Sequence, residues 1–447
     1  MVSSRLLAYQ LLLHLEQKAE HTDRLIRTAL ERHSMMEERD RALLTELVYG
    51  AVRWRGRLDW HINQLSRTKP EKIAPPVRVL LRLALYQILF LDRVPDHAAV
   101  NETVNIAKAN HPDHIIRFVN GILREAVRRR NDWKWPDEET DPAGYAATMT
   151  SHPEWFVRKI AEQTGIDEAK LFLEANNTVA PAVYRVNTLK ATRLQVVQSL
   201  AKSGLDAAPS PYLLHAVRLL APRRDITRTE AFESGWIQAQ DEASQLVTHV
   251  LDPKPGERVL DLCSGFGIKS SHLAIFMENE GSVLSIDNSA WKLEDLERNA
   301  RRQGVEIVET LAGDILELDP ERIGRFDRVL LDAPCTGLGV IRRNPDIKWN
   351  RHIKDPWRMS QIQQSLLSRA ALFVQDGGVL VYATCSVLTD EDEAVAENFS
   401  LTHPEFQIDP IADHLPESCS AMVSGPYFRS WPHRHDVDGF FAARWKK

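Results

Sequence analysis

The sequence predicts a multidomain chain in three parts: an all-α N-terminal part, a small α/β part, and a C-terminal doubly wound α/β part built on a parallel sheet. Three observations carry this prediction. The first third repeats apolar residues at three- and four-residue spacing, with almost no strand signal. Residues 131–153 shift to proline and acid with few aliphatics. From residue 236 onward, strand and helix patterns alternate. The length of 447 residues agrees with about three domains of ~150 residues each.

Residues 1–135 read as helices throughout. Leu43, Leu44, Leu47, Val48 and Val52 mark one buried helical face. After Pro75-Pro76, a suitable helix start, Val77, Leu80, Leu81, Ala84, Leu85, Ile88 and Leu89 mark another. Later runs hold Ala98, Val100, Val104 and Ala107, then Ile115, Ile116, Val119, Ile122, Leu123 and Val127. Two stretches carry more than periodicity: Val94-Pro-Asp-His-Ala-Ala-Val-Asn-Glu-Thr-Val-Asn-Ile-Ala-Lys108 and Phe118-Val-Asn-Gly-Ile-Leu-Arg124. They resemble the signature helices of the NusB-like domain, an RNA-binding helical fold. His97, Asn101 and Asn120 are therefore expected to serve as helix caps and interhelical hydrogen bonds rather than as catalytic groups.

Residues 136–235 are expected to hold the end of a linker and a small α/β RNA-binding domain. Three prolines and Asp137-Glu-Glu-Thr-Asp141 make 131–153 the linker. A strand is expected at 181–189, a helix at 191–203 and a strand at 216–220. Arg185, Lys190, Arg223, Arg224 and Arg228 are candidates for phosphate contacts, although surface charge accounts for them equally well. In residues 236–447, strands are expected at 258–262, 282–287, 306–310, 328–332, 378–384 and 439–445. Ligands of such sheets bind at the carboxyl ends of the strands.

Composition narrows the function classes. With 43% hydrophobic and 26% charged residues, the chain is an ordinary folded protein, not a disordered chain, a collagen repeat or a coiled-coil rod. Its four cysteines, Cys263, Cys335, Cys385 and Cys419, are too few for a disulfide scaffold. They form no C-x-x-C pair, so no metal is expected. The longest apolar stretch, residues 77–91, is broken by Arg78 and Arg82, so no membrane span is expected. Residues 1–135 carry 23 Lys/Arg against 16 Asp/Glu, a net +7, whereas the whole chain is −6. That asymmetry points to an anionic partner, RNA by preference, for the first part. A solvated arginine-rich helical surface is the blander account.

The first strand of the third part runs into Leu260-Asp261-Leu262-Cys263-Ser264-Gly265-Phe266-Gly267-Ile268-Lys269-Ser270. Strand, glycine turn, helix is the arrangement that lets backbone N–H groups approach a polar ligand. The next strand ends at Asp287, 22 residues past Gly265, near the ~20-residue offset at which an acid meets ribose hydroxyls. Those two features also suit a nicotinamide cofactor. Asp-Leu-x-x-Gly-x-Gly, however, resembles the first motif of S-adenosylmethionine-dependent methyltransferases more closely. The resemblance implies cofactor contacts from Cys263, Ser264, Gly265, Phe266, Gly267, Ile268, Lys269, Asp287, Asp332 and Asp314. Asp314 stands where such enzymes place an adenine-contacting acid; a loop cap is its alternative role.

The fourth strand ends in Asp332-Ala-Pro-Cys335-Thr-Gly-Leu-Gly339 and the fifth in Tyr382-Ala-Thr-Cys385-Ser386. In the expected order these strands are near neighbours, so both thiols can face one pocket. A buried cysteine is usually a small hydrophobe. Two at the ends of two such strands, one beside an aspartate, suit nucleophilic chemistry. C5 of cytosine is a poor nucleophile. A thiolate that adds to C6 creates an enamine whose C5 can attack a methylsulfonium; a C5 proton is then lost and the thiolate eliminated. A free thiol titrates near ~8.5, so the attacking one needs a cationic or hydrogen-bonding setting, which Lys269 can supply. Asp332 can hold the cytosine N3/N4 edge. Spacing alone does not say which thiol attacks.

Asp-Ala-Pro-Cys together with Ala-Thr-Cys-Ser resembles the two-cysteine signature of the RNA cytosine-C5 methyltransferases of the Sun (Fmu) family. The match continues in Ile341-Arg-Arg-Asn-Pro-Asp-Ile-Lys-Trp-Asn-Arg351, Gln240-Asp-Glu-Ala-Ser-Gln245 and Asp438-Gly-Phe-Phe-Ala-Ala443. Tyr184-Arg-Val-Asn-Thr-Leu189 is similar to the family's RNA-reading strand. The resemblance implies that Cys385 is the nucleophile and that Cys335 helps release the product. With a NusB-like domain in front, it implies a bacterial enzyme that uses S-adenosylmethionine to methylate a cytosine of 16S ribosomal RNA; composition points to the cytoplasm, and a monomer is expected.

One departure stands out. The family's first motif reads Cys-Ala-Ala-Pro-Gly-Gly-Lys-Thr, and here it is Cys263-Ser-Gly-Phe-Gly-Ile-Lys269-Ser. Altered loop contacts are expected, and a positive φ at Ile268 would be strained. Arg342, Arg343, Lys348, Arg351, Lys354 and Arg358, interleaved with Trp349 and Trp357, suit phosphate contacts and base stacking. One of the two tryptophans is expected to pack inside. Two alternatives stay open: a transfer-RNA cytosine-C5 methyltransferase, and an RNA-binding ribosome assembly factor with weakened catalysis. The N-terminal helical domain argues against the first, and the retained cysteines and aspartate against the second.

Overall fold

The helix Pro75–Phe90 starts on two prolines, whose missing N–H groups would have had no intrahelical partner there. Eleven of its sixteen residues are buried, so it is apolar all round and central rather than amphipathic. Leu44, Leu47 and Val48 of helix Glu38–Arg53 join the same core, as do Val119, Ile122 and Leu123 of helix Asp113–Arg128. Arg82 lies inside this core and is held by both carboxylate oxygens of Asp59 at 2.6 Å and by Glu16 at 2.5 Å. Helix Asp96–Asn110 begins after Pro95 without a side-chain cap. His97 and Asn101 lie inside it, past the N-cap position held by Pro95, so the expected capping role is not theirs.

The computed structural model describes residues 3–18, 20–220 and 226–447. Arg223 and Arg224, two of the candidate phosphate contacts, lie outside the described residues. The chain divides into two compact units, Met1–Asn177 with Arg343–His352, and Thr178–Arg342 with Ile353–Lys447. The sequence boundary at residue 135 thus falls inside the first unit. Part of the expected linker is helix, Pro142–Thr150, and helices Glu154–Thr164 and Ile166–Ala175 follow directly after it. Asp141 caps the first of these by accepting the Gly144 N–H at 3.1 Å, and Pro142 sits in its first turn. An acid cap followed by proline is a helix start, and composition alone misreads it as linker.

The second unit contains two sheets. The small one has the order β2-β3-β1-β4 with β1 Ala182–Val186, β2 Ala207–Pro209, β3 Ala216–Leu219 and β4 Ile237–Ala239, all antiparallel. The large one contains β5 Arg258–Leu262, β6 Ser282–Asp287, β7 Val308–Ala312, β8 Phe326–Asp332 and β9 Val374–Thr384. These five pair in parallel in the order β9-β8-β5-β6-β7. The sheet is mixed rather than wholly parallel. β10 Gln407–Ile408, β11 Val423–Ser424, β12 Tyr427–Ser430 and β13 Phe440–Lys446 complete it, and β13 runs antiparallel to β9. β7 starts two residues later than expected, because the Glu306 N–H is taken by the Asn279 side chain at 3.0 Å instead of a ladder carbonyl. Strand order reverses between β5 and β8, which is where doubly wound sheets open a crevice at their carboxyl edge.

Arg185 on β1 does not reach solvent. It is 1% exposed and donates to Gln240, to the Ile268 carbonyl at 2.9 Å, to Ser271 Oγ at 3.0 Å and to Gln303 Oε1 at 2.9 Å. A guanidinium spent on four internal acceptors has no fork left for a phosphate, which corrects the phosphate reading of this residue. Burial, then the nearby charge of Arg302, pushes its pKa down to about 9. Arg185→Leu should therefore cost about 3 kcal/mol or more in urea unfolding, because it strands buried acceptors. The salt dependence of RNA binding should not change; a slope smaller by about one would restore the phosphate role.

Candidate active site

The carboxyl edge of the large sheet gathers the predicted residues. β5 delivers Cys263, which adopts φ 61°, a left-handed conformation costly for a side chain with Cβ. The Ser264 N–H donates to the Ile286 carbonyl at 3.0 Å, and the Gly265 N–H to Asp287 Oδ2 at 3.0 Å. Gly265 and Gly267 take φ 56° and 70°. A Cβ on Gly267 would lie 2.1 Å from Leu296 Cγ, so both its conformation and its space require glycine. Ile268 is the first residue of helix Ile268–Phe276 and carries no positive φ. The strain anticipated there is relieved because Gly267 makes the turn one residue earlier. Phe266 is 44% exposed and packs edge-on against Trp291 at 5.3 Å.

Asp287, Asp261 and Asp332 end or nearly end the adjacent strands β6, β5 and β8. Asp287 also accepts from the Ser289 N–H at 2.9 Å, with Lys292 Nζ 3.7 Å away. Asp261 takes the Ser270 hydroxyl at 2.6 Å, while its Oδ1 is buried with no hydrogen-bond partner among the described residues. Burial first, then the charges of Asp332 and Asp287, raise Asp261 to about 7. Burial and the same three carboxylates push the Cys263 thiol far up. Asp314 is exposed and caps the turn Ile315–Glu317 through the Leu316 N–H at 2.9 Å, the geometry of its alternative role. A strand edge bearing three carboxylates, one with an orphan buried oxygen, beside a glycine turn where an added Cβ would meet only the Cys263 carbonyl at 4.0 Å, suits a polar cationic ligand.

Lys269, Asp332, Cys335 and Cys385 come together. Lys269 Nζ lies 2.6 Å from Asp332 Oδ2 and 5.3 Å from the centre of the Phe440 ring. Burial works against its charge, but Asp332, and after it Cys385, hold its pKa above the usual value. The β8–β9 pairing brings Cys335 Sγ to 3.2 Å from Cys385 Sγ, and both thiols are partly exposed. The hydrogen bond shared with Cys385, burial, and the charges of Cys385 and Glu391 push the Cys335 thiol well up.

Two groups escaped the sequence reading. Asp261 stood inside the quoted motif and was passed over as part of a strand. Glu391 lies in Thr389-Asp-Glu-Asp-Glu393, a run that reads as solvated charge, yet it is 0% exposed. Other residues were assigned too much. Lys348 is buried and donates to the carbonyls of Arg53 and Ser151 and to Asn177 Oδ1 at 2.8 Å. Burial and Arg53 push its pKa well down, so it holds no phosphate. Trp349 donates its indole N–H to the Val52 carbonyl at 2.7 Å and packs inside. Arg342 is occupied by Asp436 at 2.7 Å and the Val179 carbonyl at 3.0 Å. Lys190 donates to the carbonyls of Ser234 and Arg302. Trp357, Lys354, Arg358 and Arg228 remain at the surface, with Trp357 63% exposed. Among the described residues, no helix is long and apolar enough to cross a membrane, and no group of three or more His, Cys, Asp or Glu is placed to hold a metal ion.

Residues 248–446 match the family described as 16S rRNA methyltransferase RsmB/F. Residues 2–128 match the NusB family, and residues 152–227 the ferredoxin-like domain of RsmF/B-like methyltransferases. Over its full length the chain is 37% identical to the Probable ribosomal RNA small subunit methyltransferase B of Bacillus subtilis, covering 99% of that protein. It is 34% identical to the protein of the same name in Synechocystis sp., with both chains covered in full. Among solved structures, that of PH0851 superposes with a TM-score of 0.84 at 30% identity, covering 100% of this chain and 99% of that one.

Proposed function

The chain belongs to the 16S rRNA methyltransferase RsmB/F family, and from that premise we propose that it methylates C5 of one cytosine in 16S ribosomal RNA through a covalent bond between Cys385 and C6. The observation that carries this reading is the pair of thiols 3.2 Å apart at neighbouring strand ends, beside the Lys269–Asp332 ion pair. Full-length similarity to small-subunit enzymes favours ribosomal over transfer RNA.

S-adenosylmethionine, when bound, supplies the methyl group on a cationic sulfur. The Asp261, Asp287 and Asp332 carboxylates and the turn from Cys263 to Lys269, with Phe266 as an aromatic wall, would hold it; Asp314 would be a further contact. Asp332 binds the N3/N4 edge of the cytosine and favours the proton that addition at C6 requires. Lys269 stabilises the Cys385 thiolate that makes the addition. Cys335, protonated at neutral pH, stands 3.2 Å from Cys385 and gives its proton to the Cys385 sulfur as the C–S bond breaks, while water takes the proton lost from C5 and returns one to Cys335. The base must leave any stack to reach the thiol. Trp357, Lys354 and Arg358, exposed in or beside helix Asp355–Ala371, whose Gln363 reaches the Pro334 carbonyl at 3.0 Å, would stack on and hold the flanking strand. The basic first part adds RNA affinity.

Bisulfite sequencing of 16S ribosomal RNA from cells with and without this protein tests the function. One cytosine should resist conversion only when the protein is present; identical protection patterns would overturn the reading. The cofactor reading has its own test. Because burial raises Asp261 to about 7, this carboxyl is about half protonated near neutral pH. A nearby cationic sulfur favours the charged carboxylate, so binding should expel a proton. Affinity for S-adenosylmethionine should then rise several-fold from about pH 6 to about pH 8, and less so for its uncharged thioether product. Calorimetry in two buffers of different protonation enthalpy measures both effects, and a flat profile for the sulfonium would count against this placement.

A further inference from the structure

Glu391 sits in the turn between β9 and helix Glu393–Thr402, with its side chain fully buried. Its carboxylate accepts four hydrogen bonds. Two come from Thr336, the residue after Cys335: the backbone N–H at 2.7 Å and the side-chain hydroxyl. The third comes from the hydroxyl of Ser386, the residue after Cys385, at 2.7 Å. The fourth comes from Gln363 Nε2 at 3.2 Å, and that amide also donates to the Pro334 carbonyl, just before Cys335. One carboxylate therefore ties the loops of both thiols to each other. A second tie is the backbone bond from the Gly339 N–H to the Cys385 carbonyl at 2.9 Å. Tyr382, whose hydroxyl donates to the Glu391 carbonyl, holds the turn against β9.

Charge around the two thiols is uneven. Glu391 makes two of its four bonds to Thr336, the residue after Cys335, and its charge acts on that thiol, whereas the Lys269 ammonium, paired with Asp332, acts on Cys385. We propose that Glu391 is a positioning residue that holds the two thiols at reacting distance and, by placing its negative charge on the Cys335 side, reserves the nucleophilic role for Cys385. The proposal rests on the two-thiol reading above. It adds a residue that touches neither substrate nor cofactor and acts through Thr336 and Ser386.

Glu391→Gln is the main test. It keeps the side chain's size and removes its charge, and the amide can still accept from Thr336 and donate to a hydroxyl. In the full-length Cys385→Ala protein, alkylation of Cys335 by iodoacetamide is followed against pH by mass spectrometry of its peptide. Adding E391Q should move the midpoint down by about one pH unit. In the otherwise native chain, E391Q should lower turnover at least about tenfold while leaving the S-adenosylmethionine dissociation constant unchanged. A residue that merely supports the fold would leave the alkylation midpoint where it was, and that result overturns the proposal. If E391Q does not fold, Ser386→Ala carries the test, since it removes one tie and keeps the charge. Turnover should fall several-fold with the Cys335 midpoint retained, and unchanged turnover overturns the proposal. The alkylation profile needs no RNA. A shifted midpoint in a protein that methylates no cytosine would therefore refute the function and leave standing only the effect of the Glu391 charge on Cys335.

Discussion

Cys385→Ala should abolish methyl transfer, by at least about 10³-fold, and should yield no covalent protein–RNA complex, because nothing then adds to C6. Cys335→Ala should behave differently. Addition and methyl transfer should proceed, release should fail, and an adduct should survive denaturing electrophoresis. The two thiols look equivalent in spacing, but their surroundings differ: the Glu391 charge acts on Cys335, and the Lys269 ammonium acts on Cys385. Two packed core cysteines would instead show modest stability losses and no adduct from either variant. An adduct from Cys385→Ala and none from Cys335→Ala would reverse the roles.

Lys269→Met should lower turnover by about 10²- to 10³-fold, because it removes the ammonium that lies 2.6 Å from Asp332 Oδ2. Lys269 is charged throughout the neutral range, since Asp332 and Cys385 outweigh the opposing effect of burial on its pKa. Without it, the charge of Asp332 acts on any anion formed nearby with no ammonium beside it. Alkylation of Cys385 at about pH 8 should slow in parallel, because the ammonium no longer steadies the attacking anion. Native-rate alkylation of Cys385 in Lys269→Met would remove Lys269 as the partner of the thiolate and leave it a structural ion pair.

How much of this site was legible beforehand can be argued residue by residue. Cys263–Lys269, Asp287, Asp332, Cys335 and Cys385 all follow strand patterns, and a parallel sheet brings the carboxyl ends of its strands to one edge whatever packs around them. Cys335 and Cys385 needed only β8 and β9 to be neighbours, which the alternation of strands and helices already implied. The antiparallel insertion of β13 beside β9 was not legible. A strand's periodicity does not tell which way its neighbour runs.

Charged side chains were the harder case. Arg185, Arg342 and Lys348 read locally as basic residues fit for phosphate, and Glu391 as one acid among several in a solvated run. Each was decided by segments far away in sequence: Arg185 by Gln240, Ser271 and Gln303, Lys348 by Arg53, Ser151 and Asn177, and Glu391 by Thr336 and Gln363. Backbone geometry is local, so the sequence by itself determined the strands, the glycine turn and which chemical groups stand at their ends. Burial and electrostatic environment are non-local, because desolvation and partner charges depend on everything packed around a group. Only the tertiary structure could therefore decide which cations face solvent, and which of two identical thiols stands beside an acid and which beside an amine.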